Sequence, residues 1–258
     1  MSLDDDVWLL CEGEPRSRDV RWLNLVLAEL ANSSDLAARV RVMPSGSKAD
    51  LAASVRGVRA ALGSSQVYAV RDRDFLRAEI LDKDTAAGVH ALRRHCIESY
   101  LVEPQVLERA LGISNAEEKL DALARERFYP DLGRAVLDAL GYEIRRDRPR
   151  LGDRIPSSTG EVVAICADEL KSFWAAGSSK DTDIAGLVRA FEEDMRADAL
   201  WTRVNGKELM KSLAKDLNDS IPGGRDLESA LFHHCSQNTP PEGLTAEIER
   251  ILNALPLG

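Results

Sequence analysis

The sequence predicts an α/β fold, a parallel sheet flanked by helices, with a mainly helical carboxyl half. Three observations carry that expectation. Short apolar runs alternate with segments of helical period over residues 7–103. Two of the runs, Val7-Trp8-Leu9-Leu10 and Val67-Tyr68-Ala69-Val70, lead into acidic clusters, Cys11-Glu12-Gly13-Glu14 and Asp72-Arg73-Asp74. From about residue 112 the short runs give way to helical periods. The expected division is an α/β catalytic domain over residues 1–112 and a helical domain over 113–258.

Residues 7–11 read as a buried strand. Val20, Leu23, Leu27 and Leu30 recur at helical spacing over 18–31, and Asn32-Ser33-Ser34-Asp35 ends that helix. Residues 40–43 form a second short strand, closed by Pro44-Ser45-Gly46. Ser47 is placed to cap a helix over 48–62, with Leu51, Val55, Val58 and Leu62 as its buried stripe. Gly63-Ser64-Ser65 closes it, and 67–70 is the third strand. The charged stretch 75–85 is a loop or a short helix, 89–97 a fourth strand, and 104–111 a short helix. The carboxyl half predicts helices over 116–127, 132–140, 161–176, 184–199, 206–217 and 245–254, with a Pro-, Gly- and Ser-rich loop over 147–160.

Strand–helix alternation implies parallel strands with right-handed crossovers. Both acidic clusters then emerge at the carboxyl edge of the sheet, where open α/β sheets bind their ligands. Glu12 beside Asp72 and Asp74 makes an oxygen-rich pocket suited to Mg²⁺ or Mn²⁺. In an extended segment alternate residues point the same way, so Asp72 and Asp74 would face one ion while Arg73 faces away. Glu14 is a substitute for Glu12, but Pro15 follows it and Glu12 is nearer the strand. Chemistry at phosphate also needs a positive group. Lys48, in Ser45-Gly46-Ser47-Lys48, follows the second strand at the same edge, although the P-loop pattern is absent. Arg71 and Arg73 are further candidates, and Lys207 a more remote one. These residues point to metal-dependent phosphoryl transfer, with nucleic acid as the substrate.

Composition limits the alternatives. The chain has 258 residues and a formal net charge of −9, which argues against non-specific coating of nucleic acid but not against a nuclease, whose bound metal offsets local negative charge. No apolar stretch approaches the roughly 20 residues of a spanning helix. The acidic start, Met1-Ser2-Leu3-Asp4-Asp5-Asp6, lacks a signal-peptide pattern, so the expected location is cytoplasmic and off the membrane. Cys11, Cys96, Cys166 and Cys235 have no zinc-site spacing and are expected as reduced thiols, with Cys11 and Cys96 in or near the core. His233-His234 read as structural or surface residues, and Arg145-Arg146-Asp147-Arg148-Pro149-Arg150 as a solvated loop or a basic contact.

The run Leu9-Leu10-Cys11-Glu12-Gly13, the Asp72-Arg73-Asp74 pair after a strand, and Ile97-Glu98-Ser99-Tyr100-Leu101 together resemble a Toprim domain, closest to the stand-alone relatives of OLD-type nucleases. The resemblance covers about residues 7–111, and Val204-Asn205-Gly206-Lys207-Glu208-Leu209 is similar to a Gly-Lys helix start in those relatives. It implies a Toprim-like sheet and cleavage of DNA or RNA. It also implies metal ligation by Asp72, Asp74 and Glu98, and a metal-binding or proton-shuttling Glu12. By the same analogy the protein would be an anti-phage effector working with a separately encoded ATPase, since no ATPase segment is present. No tyrosine stands in a topoisomerase context and no primase zinc motif occurs, which disfavours both activities. Two alternatives stand beside the nuclease: a non-catalytic interaction module with a vestigial or sensory divalent-ion site, and a phosphohydrolase or phosphotransferase acting on small phosphate esters.

Overall fold

Strand β1 (Val7–Cys11) is buried along almost its whole length, as a central parallel strand must be. The computed structural model describes residues 6–46, 51–144, 154–174, 183–217, 221 and 226–256. β1 lies between β2 (Val40–Pro44) and β3 (Val67–Arg71), and β4 (Val89–Ala91) pairs with β3. The four strands run in the order β2-β1-β3-β4, all parallel. Leu9 stands opposite Val42 on one side and Tyr68 on the other. The chain moves outward from β1 to β2 and then returns across β1 to β3, so the strand order reverses between β1 and β3. Their carboxyl ends are the switch point at which such sheets open a crevice.

Alternation along the strands splits the core in two. Val7, Leu9, Cys11, Tyr68 and Val70 belong to the larger apolar cluster; Leu10, Val67, Ala69 and Val89 belong to a smaller one. Helix α1 (Arg18–Leu30) packs on the larger side, burying Trp22, Leu23 and Val26, followed by the short α2 (Asp35–Arg39). Helix α3 (Leu51–Leu62) covers the smaller side with Leu51 and Val55. Of its expected stripe, Leu51 and Val55 are buried and half-buried Val58 packs against the same cluster, whereas Leu62 is 43% exposed.

The charged stretch after β3 contains a short helix, α4 (Ala78–Ala86). The expected fourth strand over 89–97 is shorter. Only Val89–Ala91 forms a ladder, because β3 ends at Arg71, opposite Ala91; the Leu92 N–H still donates to the Arg71 carbonyl at 3.0 Å, but the ladder goes no further. Residues 92–97 instead form an irregular link to α5 (Glu98–Leu101) and α6 (Pro104–Leu111). The two helices expected over 116–127 and 132–140 are one, α7 (Ala116–Ile144), with Pro130 inside it. Proline removes one helical hydrogen bond. Buried Ala124, Phe128, Leu132 and Val136 on both sides of it keep the helix in place.

Helices α8 (Thr159–Trp174), α9 (Ile184–Met195), α10 (Leu200–Arg203), α11 (Gly206–Asp216), α12 (Leu227–Gln237) and α13 (Glu242–Asn253) follow. The helix expected over 184–199 stops at Met195, before the turn that leads to α10. After β4 there is no further strand among the described residues, as the change of pattern near 112 implies. The larger apolar cluster nevertheless crosses that point and runs from Val7 to Leu255. No helix among the described residues is long and apolar enough to cross a membrane.

Candidate functional site

Glu12 follows β1 directly and is 7% exposed, whereas Glu14 is exposed, so of the two it is Glu12 that faces inward. Gly13 then turns the chain with φ of 97°, a conformation glycine adopts without steric cost. Its N–H donates to the Gly46 carbonyl at 2.8 Å, and the Gly46 N–H donates back at 3.1 Å, which pins the β1 turn to the end of β2. Ser17 then leads into α1, whose first residues are Arg18 and Asp19.

Asp72, one residue beyond β3, is 4% exposed. Its Oδ1 accepts from the Ile97 N–H at 3.2 Å and its Oδ2 from Lys207 Nζ at 3.0 Å. Glu98 opens α5, is fully buried, and is paired with Arg18. Arg18 also reaches Glu228 of α12 at 2.5 Å. Three segments far apart in sequence thus meet at the switch point. Of the neighbouring arginines, Arg71 pairs with Asp84 at 2.9 Å and Arg73 with Asp194 at 3.1 Å.

The titration behaviour follows from this crowding. Burial pushes Asp19 up to about 7, with Asp72, Glu98 and Glu12 adding and Lys207 opposing. Burial pushes Asp72 up to about 6, with Lys207 opposing and Glu98 and Asp74 adding. Burial alone would pull the Lys207 ammonium down, but Asp72 and Glu98 hold it above its ordinary value. Cys11 lines the same small cavity as Asp19 and Asp72, and burial followed by the charges of Asp19 and Glu12 pushes its thiol up to about 12. Burial, Glu98 and Asp72 likewise raise Cys96 well above its ordinary value. Neither thiol is the accessible thiolate that nucleophilic or metal-ligating cysteines require. The shared cavity measures about 20 Å³, enough for about one water molecule.

The sequence-derived residues divide. Glu12, Asp72 and Glu98 are buried within electrostatic range of Asp19. Asp74 is not drawn into the same cavity. β3 has ended, Asp74 has φ of 47°, and its N–H donates to the His95 carbonyl at 2.8 Å, so the extended geometry that would aim it alongside Asp72 is absent. It lines a separate cavity with Arg73, Phe75 and His95. Lys48 and the arginine-rich stretch 145–150 lie outside the described residues. His233 is exposed and His234 half-buried on α12, and the four cysteines are buried and free.

Two residues enter the site that the sequence does not single out, Arg18 and Asp19, and Lys207 arrives from 135 residues away. For the first two a signal existed: they open the helix that follows the Glu12 turn, at the sheet edge where ligands bind. Among the described residues, no three or more His, Cys, Asp or Glu side chains are close enough to hold a metal ion as they stand. Lys207 and Arg18 stand on the carboxylates instead. The donor set itself is carboxylate oxygen, which suits a hard divalent cation. Glu98 Oε2 is buried with no N–H or O–H bonded to it among the described residues and only the weak Cys96 thiol beside it.

Arg73, Arg93, Arg94 and Arg203, together with Asp198 and Glu247, line a separate groove of about 700 Å³. Arg73 and Arg203 also line the Asp74 cavity, so the two spaces adjoin. Arg94 pairs with Glu103 at 2.6 Å and Arg203 with Asp198; Arg93 is exposed. No family model, curated protein or solved structure matches this chain.

Proposed function

We propose that the carboxyl edge between β1 and β3 is a divalent-metal-dependent centre for phosphodiester hydrolysis on DNA or RNA, in a Toprim-like fold. The observation that carries this reading is the convergence of buried Glu12, Asp72 and Glu98 with Asp19, and of two cations, at the switch point of a parallel sheet. Asp72 and Glu98, with Asp19 or Glu12, would hold Mg²⁺ or Mn²⁺, and the bound ion would supply Lewis acidity and an activated water. Lys207 is held charged beside Asp72, where an ammonium offsets the negative charge that builds on a phosphoryl group. Asp19, poised near neutral pH, has the proton affinity of a general acid or base. The groove that adjoins the Asp74 cavity, with exposed Arg93 on its wall, is where a polyanionic strand would lie. A separately encoded ATPase as partner is part of the proposal on resemblance alone.

A second reading, a non-catalytic interaction module, draws on the pairing of Asp72 with Lys207 and Glu98 with Arg18, which leaves these acids neutralised by the protein itself. Cleavage assays separate the two. Plasmid and RNA are incubated with Mg²⁺, Mn²⁺ or chelator, using wild type, Asp72→Asn and Lys207→Met. The nuclease reading expects metal-dependent cleavage, reduced at least about 100-fold in both variants with folding retained. Equal cleavage by wild type and Asp72→Asn, or none with any metal, overturns it.

A further inference from the structure

We infer that Asp131 is a positioning residue for Lys207: a buried carboxylate that fixes the start of α11 against the acid cluster. What Lys207 does there rests on the proposed phosphodiester chemistry; the clamp rests on contacts independent of it.

Asp131 lies on α7 and is fully buried. An isolated buried carboxylate is strongly unfavourable, so its hydrogen bonds reveal what it holds. Its Oδ1 accepts from Arg127 at 3.2 Å and Arg134 at 3.1 Å. Its Oδ2 accepts from the backbone N–H of Asn205 at 2.9 Å. Burial raises the Asp131 carboxyl above its ordinary value, against the pull of Arg127, the Asn205 N–H and Arg134.

Asn205 is the N-cap of α11, and its side chain accepts from the Glu208 N–H at 3.2 Å. Two residues on is Lys207. Between them Gly206 packs so closely on α5 that a Cβ would run into Ser99 Oγ and lie 2.7 Å from the Ser99 backbone nitrogen. The backbone leading to Lys207 is therefore fixed from both sides, by Asp131 and by Ser99. With that backbone held, Nζ comes 3.0 Å from Asp72 Oδ2. A shift at Asn205 would pass to Lys207 with little slack, because one residue lies between them.

The test isolates the Asn205 N–H. Asn205 has φ of −60° and Val204 has ψ of 165°, so proline's fixed φ is met at 205, while its ring Cδ takes the place of the N–H and pushes Asp131 Oδ2 away. Asn205→Pro deletes the N–H and the side-chain cap; Asn205→Ala deletes only the cap. Asp131→Asn is a second probe, since one carbonyl oxygen cannot serve both the arginines and Asn205. The readout is acetylation of lysine amines, followed by mass spectrometry on the full chain, with Lys119 and Lys211 as internal references. Acetylation needs an amine that the reagent can reach, and the contact of Nζ with Asp72 Oδ2 at 3.0 Å shields it. The clamp predicts that Lys207 reacts about three- to tenfold faster in Asn205→Pro and Asp131→Asn than in Asn205→Ala, the range set by one net hydrogen bond. Lys119 and Lys211 should stay unchanged. Equal Lys207 reactivity in Asn205→Pro and Asn205→Ala overturns the inference. So does a rise at all three lysines together, which would mark Asp131 as a general structural residue. If wild type cleaves nucleic acid, kcat should fall in Asn205→Pro relative to Asn205→Ala with KM held. If it does not cleave, the functional reading fails and the footprint still decides the clamp.

Discussion

Asp19 is the residue on which the electrostatics of the cluster are most easily read. Its ordinary value of 3.8 is raised to about 7, and that of Asp72 to about 6, by burial and by neighbouring acids. An acid whose folded value stands above its unfolded value binds its proton more tightly in the folded state. These two groups therefore cost stability as pH rises through the window from about 4 to about 7. The metal-free protein is expected to melt at lower temperature at pH 8 than at pH 5 on their account. Asp19→Asn removes one of the mutually repelling charges facing Asp72, Glu98 and Glu12, so it should stabilise the metal-free protein at pH 8. The expected gain is about 1–3 kcal/mol, smaller at pH 5 and vanishing below about pH 4. Calorimetry in chelator at both pH values checks this, and a variant no more stable than wild type at pH 8 contradicts it. Lys207 opposes the repulsion, but its own raised titration lies far above this window. At this scale Glu12, Asp72 and Glu98 were legible because each directly follows an apolar run or opens a motif at its end. Lys207 was legible only as a remote candidate and Asp19 was passed over although it opens the helix after the Glu12 turn, because their importance comes from neighbours brought together only by folding.

Among the elements, β1 and β3 were legible for a plain reason: both are continuous apolar runs bounded by polar turns, and a parallel strand buried on both faces needs that composition. β4 was overextended because apolar residues beyond Ala91, such as Leu92 and Ile97, are buried in the link to α5 rather than paired in the sheet. α7 was divided at Pro130 because local propensity argues for a break, whereas the packing that overrides it is tertiary. The α11–α5 approach was invisible for the same reason, and it supports a sharp prediction. Gly206→Ala puts a methyl group against Ser99 and Cys96, whose Sγ would lie 2.9 Å away. Ser99 is on the α5 backbone and fully buried, so it has no room to give. The substitution should cost about 1–3 kcal/mol in overpacking, read as a lower urea midpoint at unchanged m-value. It should also weaken any activity that depends on Lys207. Gly112→Ala, where open space surrounds the position but φ is 71°, should cost backbone strain alone and leave Lys207 chemistry intact.

For the whole molecule, the question is whether the α/β part stands without the helices that follow it. Helix α13 and the residues just after it bear directly on the sheet. Arg250 donates to the Ala91 carbonyl at 3.3 Å, Glu247 accepts from the Arg93 N–H at 2.8 Å, and the Tyr68 hydroxyl donates to the Pro256 carbonyl at 2.9 Å. Glu247 is itself 5% exposed and paired with Arg250 at 2.7 Å, so this edge of β4 is closed by a buried polar network rather than left open. Around it Leu244, Ile248 and Ile251 are fully buried and Leu252 and Leu255 nearly so. Burying side chains of this size contributes roughly 1.5–3 kcal/mol each, and the sum rivals the whole stability of a typical domain, roughly 5–15 kcal/mol. A chain cut before α13 would expose those apolar partners on α1 and leave the β4 edge unpaired. Residues 1–112 alone would lose them as well, together with Lys207. Both truncations are therefore expected to lack a cooperative thermal transition, whereas the full chain should unfold with near-ultraviolet and far-ultraviolet circular dichroism coincident. A folded, cooperatively melting 1–112 fragment would show that the helical half is an appendage to an independent α/β domain, and that the continuous core contributes little to holding the acidic site together.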